Sequence, residues 1–309
     1  MTRSRRPAQA AAPLVVSFVV LLYAVAAAAQ APAAPPATTA ATTEPDVPDV
    51  STPPEPPAEL NLINLPTTTS LNRHQSYFRL THRFARDLRR GDFSSLAEDF
   101  FSLDNGAVIG LEYRFGITSH LQAGVHRTTL SKTIQFTGRY DALAQGGASP
   151  VGLSITGSIE GLANFHQNYQ PGFAVTVSRS VGSWLNLYTT PAFVAHTRAA
   201  DTLAGHEGHD HSDIVGDVDD HDSHDGTTFI GVGARVRIRP TAFVAGEYSP
   251  RVAGHDPGRG TWGVAIEKQT AGHTLQLNFT NSFGTTLGEI ARGGSPHDVY
   301  LGFNLIRRF

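Results

Sequence analysis

The 309-residue chain contains no cysteine. Disulfide staples, thiolate metal sites and lipidation on a cysteine are therefore excluded. Excess charge is lacking as well: 24 Lys and Arg against 27 Asp and Glu give a formal net charge of −3. No global bias points to nucleic acid or to an acidic partner. Past the N-terminal stretch, no segment approaches the roughly 20 apolar residues a membrane-spanning helix needs. Catalytic signatures are missing too. The chain has no Gly-x-Ser-x-Gly elbow and no His-Glu-x-x-His pair, so no catalytic residue is assigned and the chain reads as a non-enzyme.

What the chain does have is 30 glycines and 9% aromatic residues, a composition that favours strands and turns. Its N-terminus reads as a secretory signal over 1–29. Arg3, Arg5 and Arg6 supply a positive start, and Leu14 to Ala29 is apolar apart from Ser17. Ala27-Ala28-Ala29 then offers a small-residue cleavage site before Gln30. From Gln30 to about Pro57 the chain is dominated by Ala, Pro and Thr. Such a stretch cannot bury a core. The region 30–71 is therefore expected to be a disordered periplasmic leader, with a barrel over 72–309.

After Asn72 the pattern changes to period-two alternation in blocks of about ten residues. In Thr274–Thr280, Leu275, Leu277 and Phe279 share one face, while Thr274, Gln276, Asn278 and Thr280 share the other. In Ile230–Arg239, Ile230, Val232, Ala234, Val236 and Ile238 alternate with Gly231, Gly233, Arg235, Arg237 and Arg239. Successive strand side chains point to opposite faces, so each block is a ribbon with an apolar and a polar side. About twelve such strands are predicted, near 73–84, 105–115, 119–128, 132–144, 151–162, 172–181, 184–197, 227–238, 241–249, 260–268, 272–281 and 298–309.

The connections alternate in length. Gly116–Thr118, Val181–Ser183, Arg239–Thr241 and Thr270–Gly272 are short, and Gln145–Pro150 is little longer. Most of those between them, 85–104, 163–171, 198–226, 250–259 and 282–297, are long, with 129–131 the exception. Short periplasmic turns alternating with long outer loops is the pattern of a transmembrane antiparallel up-and-down β-barrel. A soluble barrel with an oily interior would show the same alternation turned inside out. Size argues against it, because a closed barrel of about twelve strands is too wide for one layer of core side chains. The polar face carries Arg79, Arg83, Glu112, Arg114, Arg139, Asp141, Glu160, Arg235, Arg237, Glu247 and Glu267, which suits a wet lumen better. These charges form either a selectivity lining or a mutually neutralising network. Tyr113, Phe115, Tyr140, Trp184, Tyr248 and Trp262 fall at strand ends, where interfacial aromatic girdles sit.

In the last block, Val299, Leu301, Phe303 and Leu305 share one face, and the terminal Phe309 is in phase with them. This is similar to the C-terminal strand of Gram-negative outer-membrane proteins, whose final aromatic residue the barrel-assembly machinery reads. More specific stretches are Tyr77–Phe84, Gly106–Glu112, Gly246–Tyr248, Gln276–Thr286 and Tyr300–Leu305. These resemble an uncharacterised bacterial β-barrel family, the domain of unknown function 5777, over roughly 58–309. The resemblance implies a barrel and an outer-membrane address. It carries no activity and no catalytic residues.

The loop 198–226 holds His206, His209, His211, His221 and His224 among acids that include Asp210 and Asp222. Imidazole and carboxylate ligands without sulfur suit Zn, Cu or Ni. The expectation is weak metal binding at most, with no resident cofactor. The functional expectation is a small-solute channel or transport barrel, with that outer loop capturing a transition metal. The alternative is a closed structural or surface-binding barrel, blocked by salt-bridged side chains or by the 85–104 loop, where Leu96–Leu103 is a candidate helix. A barrel-embedded hydrolase is the third reading and has no motif behind it. The expected partners are outer-membrane lipid and the assembly machinery, with both termini in the periplasm. The sequence does not fix an oligomeric state.

Overall fold

A computed structural model of the chain describes residues 59–98, 106–146, 149–197, 225–254 and 259–309. Twelve strands run antiparallel around a closed barrel. They are β1 (Ser76–Phe84), β2 (Ala107–Gly116), β3 (Leu121–Thr128), β4 (Ile134–Leu143), β5 (Gly152–Gly161) and β6 (Gln167–Val181). Then follow β7 (Leu185–Val194), β8 (Thr227–Arg239), β9 (Ala242–Ser249, continued past Pro250 by Arg251–Gly254), β10 (Thr261–Gln269), β11 (His273–Thr280) and β12 (Tyr300–Arg308). Both parts of β9 pair with β8, which makes them one strand.

The ring closes between the first and last strands. Tyr77 lies opposite Arg308 and Arg83 opposite Gly302. The Ser76 N–H donates to the Phe309 carbonyl at 3.2 Å, and the Phe309 N–H donates back to Ser76 at 2.9 Å. Closure matters physically because it leaves no unpaired strand edge in an environment without water. The expected up-and-down barrel of about twelve strands is the observed fold. The largest boundary differences are at β9, which runs on to Gly254 rather than ending near 249, and at β6, which begins at Gln167 rather than near 172. Ala163, Asn164 and Phe165 take positive φ of 50°, 60° and 66°, and this tight left-handed turn returns the chain to the sheet early.

Burial decides which face points inward. On β11, Thr274, Gln276, Asn278 and Thr280 are at most 4% exposed, whereas Leu275 is 52% and Leu277 44% exposed. The same holds around the ring, with Leu111, Phe136, Phe173, Phe193, Ile266 and Leu305 all exposed. A continuous outward apolar belt over an inward polar wall is the arrangement that lipid stabilises and water does not. Tyr113, Tyr140, Trp184 and Tyr248 are exposed near the strand ends.

Three expectations change. The stretch from Glu59 to Leu71 is not part of an external leader: Glu59–Leu65 and Leu71 are 9% exposed or less, packed inside the ring. The lumen is therefore not simply wet. The helix in the 85–104 loop, α1 (Phe93–Glu98), begins three residues before the expected Leu96, and the rest of the expected stretch, 99–103, lies outside the described residues. Asp92 caps it by accepting the Ser95 N–H at 2.9 Å. A second helix, α2 (Leu287–Ala291), lies in the 282–297 loop, and all five of its residues are buried.

Candidate functional site: a plugged lumen

The bore is filled by a hairpin that precedes the first strand. The Leu62 N–H donates to the Leu65 carbonyl at 2.8 Å, and the Thr67 N–H to Leu60 at 2.9 Å. Asn61 bridges to Pro66, leaving Ile63-Asn64 at the tip. Both arms lie at the short-turn end of the barrel. Glu59 accepts the Thr274 hydroxyl at 2.5 Å and pairs with Arg308 at 3.5 Å, while Leu71 packs with Tyr77 and Ile306. The tip reaches past the middle, to Arg83 near the long-loop end of β1.

Inward side chains hold the tip. The Glu247 carboxylate accepts the backbone N–H groups of Ile63 (3.1 Å), Asn64 (3.0 Å) and Leu65 (3.1 Å). The opposite peptide edge is bound by donors. Arg79 Nη1 and Asn304 Nδ2 donate to the Ile63 carbonyl at 3.0 and 3.2 Å, and Gln276 Nε2 donates to Leu62 at 2.7 Å. Arg83 Nη2 donates to the Asn64 side-chain oxygen at 2.9 Å. A turn buried without water must have its polar groups satisfied by neighbours, and here the barrel wall supplies them.

Shape complements these bonds. A Cβ added at Gly233 would lie 2.3 Å from Leu62, at Gly231 2.6 Å from Leu65, and at Gly263 3.2 Å from Ile63. These inward glycines on β8 and β10 leave the space that the hairpin's apolar side chains enter. The three apolar clusters inside the ring each include hairpin residues: Leu60 and Leu71, Leu62 and Ile63, and Leu65. The hairpin thus completes a core with the inward apolar residues of the wall, among them Tyr77, Tyr188 and Phe229.

The second insert is α2. Thr286 caps it through a reciprocal box with Glu289, whose carboxylate also accepts the Thr128 hydroxyl at 2.6 Å and the Thr285 N–H at 2.8 Å. The Gly288 N–H donates to Glu160 at 3.1 Å, an approach so close that a Cβ there would sit 2.1 Å from that carboxylate. Leu287, Ile290 and Ala291 join Leu65 of the hairpin and Phe229 of the wall in one cluster. The two inserts meet inside the bore.

The charges expected on the lumen face lie as follows. Arg79 pairs with Glu112 at 2.7 Å, and Arg114 with the same carboxylate at 2.5 Å. Arg139 pairs with Asp141 at 2.7 Å, Arg235 with Glu267 at 2.5 Å, and Glu160 with Arg292 at 3.6 Å. Arg83 binds two asparagines, Asn64 and Asn304. The guanidinium of Arg237 lies 5.6 Å from the Phe243 ring centre. Sequence reasoning put Glu247 among the charges but missed its partner, the hairpin. Two features bear on it, a Leu- and Ile-rich 60–65 run closing a Pro-rich stretch and the inward glycines on β8, while the Thr286-x-x-Glu289 box marks only α2.

His206, His209, His211, His221, His224, Asp210 and Asp222 lie outside the described residues. At the feet of their loop, His196 Nδ1 is 2.8 Å from the Tyr169 carbonyl, and its Nε2 is 3.9 Å from Asp225. Among the described residues no group of three or more His, Asp or Glu is placed to hold a metal ion. Phe309 projects outward beyond β12, 62% exposed, beneath the Arg307 guanidinium at 4.9 Å.

Solved barrels are similar to this chain in outline. A KdgM porin aligns with a TM-score of 0.44 at 8% identity, covering 76% of this chain and 98% of its own. The COG4313 outer membrane channel from Pseudomonas putida F1 gives 0.41 at 11% identity, over 78% and 97%. Outer membrane phospholipase A from Escherichia coli gives 0.42 at 11% identity, over 77% and 91%. Among curated proteins, none matches the chain. The family model described as a membrane bound beta barrel domain (DUF5777) matches residues 58–309, from the first arm of the hairpin to the last strand, and the chain belongs to that family.

Proposed function

We propose that the protein is an outer-membrane barrel that passes small solutes and rests closed, with the Glu59–Leu71 hairpin as its removable closure. One observation carries this reading: the hairpin enters and leaves at the same end of the barrel, so it withdraws without unthreading the wall. Its polar bonds end on side-chain arms of the wall and break no strand pairing. In the orientation we propose, the short turns and both chain termini face the periplasm. The long loops face outward, and Phe309 is read during assembly.

Planar-bilayer conductance of the full chain and of a variant lacking residues 59–71 tests the reading. The full chain is expected to stay mostly closed, and the deletion to conduct in steady, resolvable steps. Silence in a deletion variant that still runs as a folded barrel overturns it. The buried α2 and its contact with Leu65 favour the second reading, a permanently closed structural barrel, and that silence would establish it.

A further inference from the structure

Beside the hairpin, on the β2–β5 side, lies a cavity of about 30 Å³. Asn61, Asn64 and Pro66 of the hairpin form one side of it, and wall residues that include Glu112, Gln122, His126, Arg139 and Thr156 form the other. Four wall atoms at this cavity have no protein hydrogen-bond partner: Gln122 Oε1, His126 Nε2, Arg139 Nη1 and Thr156 Oγ1. Their side chains belong to residues only 2%, 2%, 3% and 7% exposed, respectively. Buried polar atoms need partners, so this wall is built to bind something polar.

The residue types define what. The unpartnered set mixes an obligate donor (Arg139), an obligate acceptor (Gln122 Oε1), a hydroxyl that does either, and an imidazole. The strong charges beside it are already matched, Arg79 and Arg114 to Glu112 and Arg139 to Asp141. A charged solute would have to break one of these pairs or be buried without a counter-ion, which is costly. Neutral groups that donate and accept at once meet no such penalty. The hairpin demonstrates the fit. Asn61 Nδ2 donates to Glu112 at 3.3 Å, while Arg114 Nη2 donates to Asn61 Oδ1 at 2.9 Å, so one carboxylate–guanidinium pair clamps one neutral carboxamide.

We propose that the β2–β5 wall is a subsite for neutral polyhydroxylated solutes, of the chemical class of sugars, and that Asn61 and Asn64 occupy the place of their hydroxyls in the closed barrel. In that state the space takes about two waters. A sugar ring fits only after the hairpin leaves, so this inference rests on the gated reading above.

The test uses liposome swelling with a neutral hexose, the corresponding sugar acid and the corresponding amino sugar, three solutes of one skeleton and three charges. In the 59–71 deletion, the neutral sugar is expected to enter roughly fivefold faster than either ion, the effect of about one hydrogen bond. Adding Gln122→Leu with Thr156→Val should abolish that preference by slowing the neutral sugar. Equal entry of all three solutes through the deletion overturns the subsite and leaves the gate standing. So does a preference that survives the double substitution. Exclusion of all three overturns both.

Discussion

The two inserts that meet inside the barrel are built on opposite terms. The α2 helix is tied to β11 on one side and β12 on the other, and its polar groups are satisfied largely from its own loop. Thr286 and Glu289 cap each other, and Glu289 also takes the Thr285 N–H. The hairpin closes its own arms, Leu62 N–H to Leu65 and Thr67 N–H to Leu60, but the peptide groups of its turn are bound by side-chain arms of the wall. A self-capped insert is part of the wall's furniture. One that borrows its partners from the wall leaves those partners free to bind something else when it goes. On the gated reading proposed above, the lumen therefore has a fixed half and an exchangeable half.

The largest break in this comparison comes at Glu247, where one carboxylate holds three peptide N–H groups of the exchangeable half. Glu247→Gln keeps the shape but removes the charge and turns one acceptor into a donor that faces N–H groups. Bonds to a charged group contribute about 1.5–3 kcal/mol, so the open fraction should rise by roughly one to two orders of magnitude. Single-channel open probability reads this directly. An unchanged open probability would mean that Glu247 adds nothing to the hold of the apolar contacts and of the Arg79, Arg83, Gln276 and Asn304 bonds.

Next in size is Gly233→Val. Its side chain would enter the space of Leu62, 2.3 Å away, and overpacking of this kind costs about 1–3 kcal/mol. Because the atoms nearest to a Cβ at Gly233 belong to Leu62, Gly246 and Glu247 and none to α2, faster amide exchange is expected at Ile63–Leu65 and not at Ile290. Equal acceleration at both would erase the distinction between the inserts.

How far this arrangement was legible in the sequence differs between wall and contents. The wall was readable because each strand writes its own burial locally: Leu275, Leu277 and Phe279 must point one way once Gln276 and Asn278 point the other. The connections added sidedness, and Phe309 added the end. The contents were not readable in this way, because their burial is set by residues about 180 positions away, as with Ile63 and Glu247. Leu60, Leu62, Ile63 and Leu65 follow neither period, and a Pro- and Thr-rich context makes such a run look like linker. Gly231 and Gly233 were visible as the polar-side partners of Ile230 and Val232, but a missing side chain does not say what fills its place. The paired lumen arginines were identifiable as a set on one face, while their individual partners depended on strand register.

For the fixed half, the corresponding variant is Thr286→Ala. Loss of a helix N-cap costs about 0.5–2 kcal/mol, and here it also frees one side of the Glu289 box. Faster exchange is expected at Glu289 and Ile290, with conductance and the exchange of Ile63–Leu65 unchanged. Opening of the channel by this substitution would show that the helix, and not only the hairpin, gates the bore.

The smallest effect lies outside the lumen, in α1, and it sharpens the comparison by giving a cap that supports neither insert. Asp92 accepts the backbone N–H of Ser95 and its carboxyl is held below the usual carboxylate range chiefly by that bond, aided by the Ser95 hydroxyl. A carboxylate whose pKa is lowered by folding stabilises the fold above its unfolded value, and the contribution is lost as pH falls through the lowered one. Protection of the Ser95 amide should therefore be retained at neutral pH and decline only in acid, below the range where a free aspartate protonates. In Asp92→Asn, which still accepts through its side-chain oxygen but no longer titrates, that decline should vanish. Since α1 contributes no residue to the three apolar clusters inside the ring, conductance should not follow the same acid transition. If it does, the 85–104 loop takes part in closing the barrel, and the exchangeable half extends beyond the hairpin.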